Sequence, residues 1–137
     1  KKKMNLLALI AISQTQHLAE ITWYGGYFHG RKTASGRRYN MHEMTCAVVY
    51  AKGSKRPAIP FRTKIKVEYG GKSVIVVITD TGSHKPKSKV SVTKMKGGKP
   101  VRVQQKVEMW FDLSRAAFSK LAPLSKGHFV AKWEIVK

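Results

Sequence analysis

The sequence predicts an all-β domain closed into a small barrel, on three observations. From Glu20 onward the apolar residues fall in short runs separated by turn residues, the spacing of strands rather than of helices. Lys64 to Tyr69 (KIKVEY) alternates strictly, and after Gly70-Gly71 the chain returns as the nearly continuous apolar run Ser73 to Thr79 (SVIVVIT), the pattern of a hairpin. Only Ser114 to Leu121 (SRAAFSKL) reads as a helix. Many short strands in a chain of 137 residues favour closure, because closure removes exposed sheet edges.

Taken in order, Lys1 to Lys3, the apolar run Leu6 to Ile12 (LLALIAI) and the polar run Ser13 to Ala19 have the layout of a secretory signal peptide, and the apolar run is too short to span a bilayer. A short amphipathic or buried N-terminal segment is the alternative. The chain thus divides into residues 1–19 and a domain over 20–137, expected to be exported, monomeric and without stable membrane insertion. Ile21 to Tyr24 is a strand ended by Gly25-Gly26, and Thr45 to Ala51 (TCAVVYA) is the next. Ser88 to Trp110 reads as two basic strands around Gly97-Gly98. The helix has Asp112 and Ser114 as candidate caps and Pro123 as its stop, and His128 to Val136 closes the chain as an alternating strand.

Hydrophobic residues at 42% and charged residues at 25% exclude a disordered or fibrous chain. Lys and Arg number 27 against 7 Asp and Glu, a formal net charge of +20, so the partner is expected to be anionic. Net charge does not choose among nucleic acid, a membrane surface and a cell wall. The single cysteine, Cys46, excludes an internal disulfide framework and a Cys-rich zinc site. No metal and no cofactor is expected.

The run Thr22 to Met41, TWYGGYFHGRKTASGRRYNM, resembles the opening of the rare lipoprotein A (RlpA) family, whose members read close to SWYG, FHGRKTANGE and YNM. The likeness continues through Pro60-Phe61-Arg62-Thr63-Lys64, the place of the family's LPFGT turn, through Gly71 to Asp80, and through Phe111-Asp112-Leu113-Ser114-Arg115-Ala116-Ala117. The same later blocks, with Lys132 to Val136, are similar to the first domain of expansins. Both resemblances imply a six-stranded double-psi β-barrel with one or two short helices, acting on wall polysaccharide, peptidoglycan above all. Residues 81–110 hold a basic insertion relative to both families.

The resemblance implies Asp80 as the acid-base carboxylate, since a lytic transglycosylase needs one carboxyl acting first as acid and then as base while the sugar's own hydroxyl attacks. Asp112 is the second catalytic candidate, in the same groove. Tyr24 and Tyr39 are candidate sugar contacts, because apolar sugar faces stack on aromatic rings, and Thr22 is a candidate for orienting a substrate hydroxyl. His29 and Arg31 lie in a glycine-bearing basic loop, and Lys85 and Lys87 open a basic flap expected beside Asp80 to grip an anionic glycan. Two of the family's acid-base positions are occupied by Arg37 and Val48. The expected function is therefore RlpA-like transglycosylase or expansin-like wall loosening. The alternative is a non-catalytic basic binding module for wall polymer, virion component or nucleic acid. In the Lys-rich stretch Trp110 is the sole aromatic, which favours the wall over a base-stacking surface.

Overall fold

A computed structural model describes residues 17–137, so the basic and apolar N-terminal runs lie outside the described residues. The strands are β1 (Leu18–Tyr24), β2 (Thr45–Val49), β3 (Lys64–Tyr69), β4 (Lys72–Gly82), β5 (Lys89–Lys96), β6 (Lys99–Lys106), β7 (Met109–Ser114) and β8 (Phe129–Ile135), with one α-helix, α1 (Arg115–Ser119). Six of them close a barrel in the order β1-β7-β2-β4-β3-β8, with β8 returning to β1. The β1/β7 and β2/β4 pairs are parallel and the remaining barrel pairs antiparallel. β1 begins at Leu18 and buries Ala19 completely, so cleavage after Ala19 would remove two residues of this strand.

Alternation decides which faces are buried. Ile21, Cys46, Val48, Ile65, Val67, Val76, Ile78, Phe111 and Leu113 point inward and are fully buried. Burial of side chains of the Val, Ile, Leu and Phe type contributes about 1.5–3 kcal/mol each. Phe118 of α1 packs on Phe129 with ring centroids 5.1 Å apart and closes one end. The expected hairpin is present, with Lys64 opposite Val77 and Tyr69 opposite Lys72 across the Gly70-Gly71 turn.

One expectation is corrected. Asp112 does not cap the helix, because Phe111-Asp112-Leu113 belongs to β7, with Phe111 and Leu113 alternating inward while Asp112 faces out. Ser114 caps α1, its Oγ accepting the Ala117 N–H at 3.2 Å. The two basic strands, β5 and β6, pair only with each other and stand outside the barrel as a ribbon. Their Val90, Val92, Val101 and Val103 are only half-buried, so they make no core layer, and β7 takes the sixth place in the barrel.

Two local features place the site. Between Cys46 and Ala47 the β2/β4 register shifts: Ile78 opposes Cys46 but Asp80 opposes Ala47, leaving Thr79 as an extra residue. This bulge breaks the alternation that would have sent Asp80 inward with Ile78, and turns it outward. At the root of the ribbon, buried Glu20 binds the main-chain N–H groups of Lys87 and Ser88 through Oε2 at 2.7 and 2.8 Å. On Oε1 it meets His84 Nε2 at 2.8 Å and His128 Nε2 at 3.3 Å.

Candidate active site

The outer face of four barrel strands carries one lateral row of residues. Thr22 of β1 pairs with Asp112 of β7, Asp112 with Ala47 of β2, and Ala47 with Asp80 of β4. Asp112 and Asp80 therefore flank the small side chain of Ala47, which is itself buried with Tyr24 and Tyr39.

Asp112 Oδ1 accepts a hydrogen bond from Thr22 Oγ1 at 2.7 Å, and Thr22 Oγ1 in turn accepts from Trp110 Nε1 at 2.8 Å. The indole thus fixes the Thr22 hydroxyl so that its proton points at Asp112. Partial burial is the main influence on Asp112 and raises its proton affinity, and the Asp80 charge adds to the rise. The Thr22 hydrogen bond and His84 oppose it, and the carboxyl ends at about 6 against an ordinary 3.8. Asp80 is held differently: its Oδ1 accepts the Ala34 and Thr81 main-chain N–H groups, each at 2.9 Å. The Thr33–Arg37 turn is thereby pinned to the end of β4.

Tyr24 and Tyr39 stack over this row with ring centroids 4.2 Å apart, and the Tyr39 hydroxyl donates to the Tyr24 carbonyl at 2.5 Å. Tyr24 is 8% exposed, yet its hydroxyl has no hydrogen-bond partner among the described residues. Burial, and after it the negative charge of Asp80, push this phenol up, so it stays protonated. This hydroxyl is thus a buried, protonated donor without a protein acceptor, beside two carboxyls.

The remaining sequence candidates spread outward from this row. His29 Nδ1 accepts the Met41 N–H at 3.2 Å, and Arg31 lies over the Tyr27 ring at 4.3 Å, so both belong to the loop beyond Tyr24. Lys85 lines a cleft at the opposite end. Lys87 meets the site through its main-chain N–H to Glu20. The ribbon itself does not lie beside Asp80: Val90, Ser91 and Val92 face Tyr69, Lys72 and Ala131 across a cleft on the β3 and β8 side. Only its root borders the groove. Arg37, at the family's glutamate position, pairs with Glu43 at 2.9 Å, and Val48, at the family's histidine position, is fully buried in the barrel.

Sequence reasoning missed Glu20 and His84. Glu20 shares the outward face of β1 with Thr22 and Tyr24, a signal the alternation carried. Its burial drives its proton affinity up, but the hydrogen bonds from His84, Ser88 and Lys87 outweigh that and hold the carboxyl at about 2. The His84 ring, 5.0 Å from that of Trp110, stood in a lysine-rich stretch with no local signal. Among the described residues no group of three or more His, Cys, Asp or Glu is arranged to hold a metal ion, and no helix is long and apolar enough to cross a membrane.

Comparison with known proteins agrees with this architecture. The family model described as lytic transglycolase matches residues 18–132. A probable endolytic peptidoglycan transglycosylase RlpA of Aquifex aeolicus is 45% identical over 65 residues, 46% of this chain and 25% of the relative. The endolytic peptidoglycan transglycosylase RlpA of Neisseria meningitidis serogroup B is 38% identical over 71 residues, 52% of this chain and 27% of the relative. The chain thus spans about a quarter of the length of these curated relatives. Among solved structures, the Streptomyces papain inhibitor aligns with a TM-score of 0.56 at 21% identity, covering 91% of this chain and 97% of the inhibitor, a likeness of fold alone. With the family model covering all but the ends of the described residues, this chain belongs to the lytic transglycolase family and carries an RlpA-like double-psi β-barrel domain.

Proposed function

We propose that the barrel cleaves peptidoglycan glycan strands by lytic transglycosylation, with Asp112 as the proton donor. The observation that carries this reading is the meeting, on one outer face, of an Asp112 carboxyl held at about 6, the Asp80 carboxylate and the unpartnered Tyr24 hydroxyl. The relatives bear the name of peptidoglycan transglycosylases, which supplies the substrate class. A substrate in the bacterial envelope also agrees with export.

In the reaction, protonated Asp112 gives its proton to the glycosidic oxygen as the bond from that oxygen to the anomeric carbon breaks. A hydroxyl of the same sugar closes onto the anomeric carbon, and its proton returns to Asp112, so no water is consumed and the carboxyl is restored. Asp80, held by two main-chain N–H groups, lies opposite the positive charge that develops on the sugar. Tyr24 donates to a sugar hydroxyl. Asp80, the residue expected from sequence to be the acid, thus takes the electrostatic part, and the acid is Asp112.

The test is digestion of purified peptidoglycan with mass analysis of the soluble products. The parent should release fragments with anhydro-sugar ends, Asp112→Asn and Asp80→Asn should release none, and Tyr24→Phe should release fewer. Products with ordinary reducing ends, or anhydro products undiminished in Asp112→Asn, would reject this assignment.

A further inference from the structure

The groove has two chemically different ends. Beyond Tyr24, Phe28 stands edge-on at 5.8 Å and Tyr27 edge-on to Phe28 at 5.1 Å, and the two outer rings are 43% and 73% exposed. That end is an apolar, aromatic platform. At the other end, Gly82 lies two residues past Asp80 on the same outward face of β4, about 7 Å along the strand. Trp110 packs on Gly82 so closely that a Cβ there would lie 2.6 Å from the ring.

Past Trp110 the surface opens into a cleft of about 640 Å³ between the turn at 49–55 and the segment 82–86. Lys52, Lys55, Lys85 and His84 line it, against the single acid Glu108. Lys55 Nζ sits 5.1 Å from the Tyr50 ring centroid, which gives its ammonium a defined place in the wall. Among the described residues none of the three lysines is ion-paired, whereas His84 is tied to Glu20 at 2.8 Å. Three unpaired ammonium groups converging on one concavity repel each other unless an anion enters.

We infer that this cleft is a subsite for an anionic substituent, a carboxylate or a phosphate, carried by the glycan on the His84 side of the bond cleaved at Asp112. A strand bound along β1 and β7 would then be read with polarity, one end stacked on Tyr27 and Phe28 and the other held by charge. The inference rests on the glycan reading of the groove and adds the substrate's charge to it. It also separates the functional lysines from the more numerous ones on the β5–β6 ribbon, which leans on the opposite flank of the barrel.

The experiment measures binding of three ligands to the full chain in an Asp112→Asn background, so that turnover does not consume them. The ligands are a neutral chitin oligosaccharide, a peptide-free muramic-acid strand carrying only lactyl carboxylates, and a strand bearing a phosphate polymer. At least one anionic strand should bind about tenfold more tightly than the neutral one, the gain of two or three exposed ion pairs made together. Which of them gains identifies the anion. Combined Lys52→Gln, Lys55→Gln and Lys85→Gln should erase that preference and leave the neutral oligosaccharide's affinity unchanged. The ribbon set Lys89→Gln, Lys94→Gln and Lys96→Gln removes the same charge and should keep the preference. Equal binding of neutral and anionic strands, or equal loss in both variant sets, overturns the subsite while leaving the groove reading in place. Failure of all three ligands to bind overturns both.

Discussion

Replacing Asp112 by Asn should make the protein more stable at neutral pH, although it removes the proposed acid. In the folded chain the carboxyl is held at about 6 against an ordinary 3.8, because burial and the Asp80 charge disfavour its ionised form. At pH 7.5 the folded protein must carry that unfavourable charge, while the unfolded chain carries it in water. Below about pH 3 the group is protonated in both states and the difference vanishes. Each pKa unit is worth about 1.4 kcal/mol, so the parent is destabilised by about 2–3 kcal/mol above pH 6, and the penalty is relieved as pH falls from 6 to 4. Asn cannot ionise, and its carbonyl still accepts the Thr22 hydrogen bond. Thermal unfolding of the two proteins should therefore differ by about 5–12 °C at pH 7.5, with Asn the higher, and coincide at about pH 3. An Asn variant less stable than the parent at pH 7.5 would mean that the ionised carboxyl supports the fold, and the reasoning would be refuted.

Arg62 has a φ of 74° where the family's turn has glycine, so Arg62→Gly should relieve left-handed strain. Net of the extra freedom glycine gives the unfolded chain, the gain should be about 0.5–1 kcal/mol in urea denaturation; a loss would show the arginine side chain to be needed. Gly82→Ala would drive a methyl into Trp110, costing about 1–3 kcal/mol and displacing the indole N–H resonance from its hydrogen-bonded position; an unchanged resonance would contradict the contact. Glu20→Gln should cost about 2–3 kcal/mol at pH 7 and speed tryptic cleavage after Lys87, because the ribbon root loses its anion. Glu20 is held at about 2, below its ordinary 4.5, so this stabilisation is complete above pH 4.5 and fades as pH falls toward 2; an unchanged gap at pH 2 would refute it.

What sequence reasoning reached was local. The Lys64–Tyr69 hairpin was legible because its alternation and its Gly70-Gly71 turn lie within a few residues. β7 was not, because Asp112 and Ser114 next to an alanine-rich stretch imitate a helix start, and what makes Met109–Ser114 a strand is parallel pairing with β1, far away in sequence. Asp80 and Asp112 were both singled out, but their roles depend on the bulge at Thr79. Seen from β4 alone, Asp80 continues the buried series of Val74, Val76 and Ile78, and only the register against β2 shows it turned out. Trp110, expected at the edge of a basic stretch, became the residue that aims Thr22 at Asp112. Such long-range contacts leave no periodic trace in the chain.

The proposed chemistry requires Asp112 to hold a proton close to neutral pH because of where it sits. Carbon-detected NMR titration of the side-chain carboxyls, in the parent and in Asp80→Asn, measures this directly. Asp112 should titrate with a midpoint at about 6 in the parent and a lower one in Asp80→Asn, since the neighbouring charge contributes to the rise. An Asp112 midpoint near 4 in the folded parent, unmoved by Asp80→Asn, would contradict it.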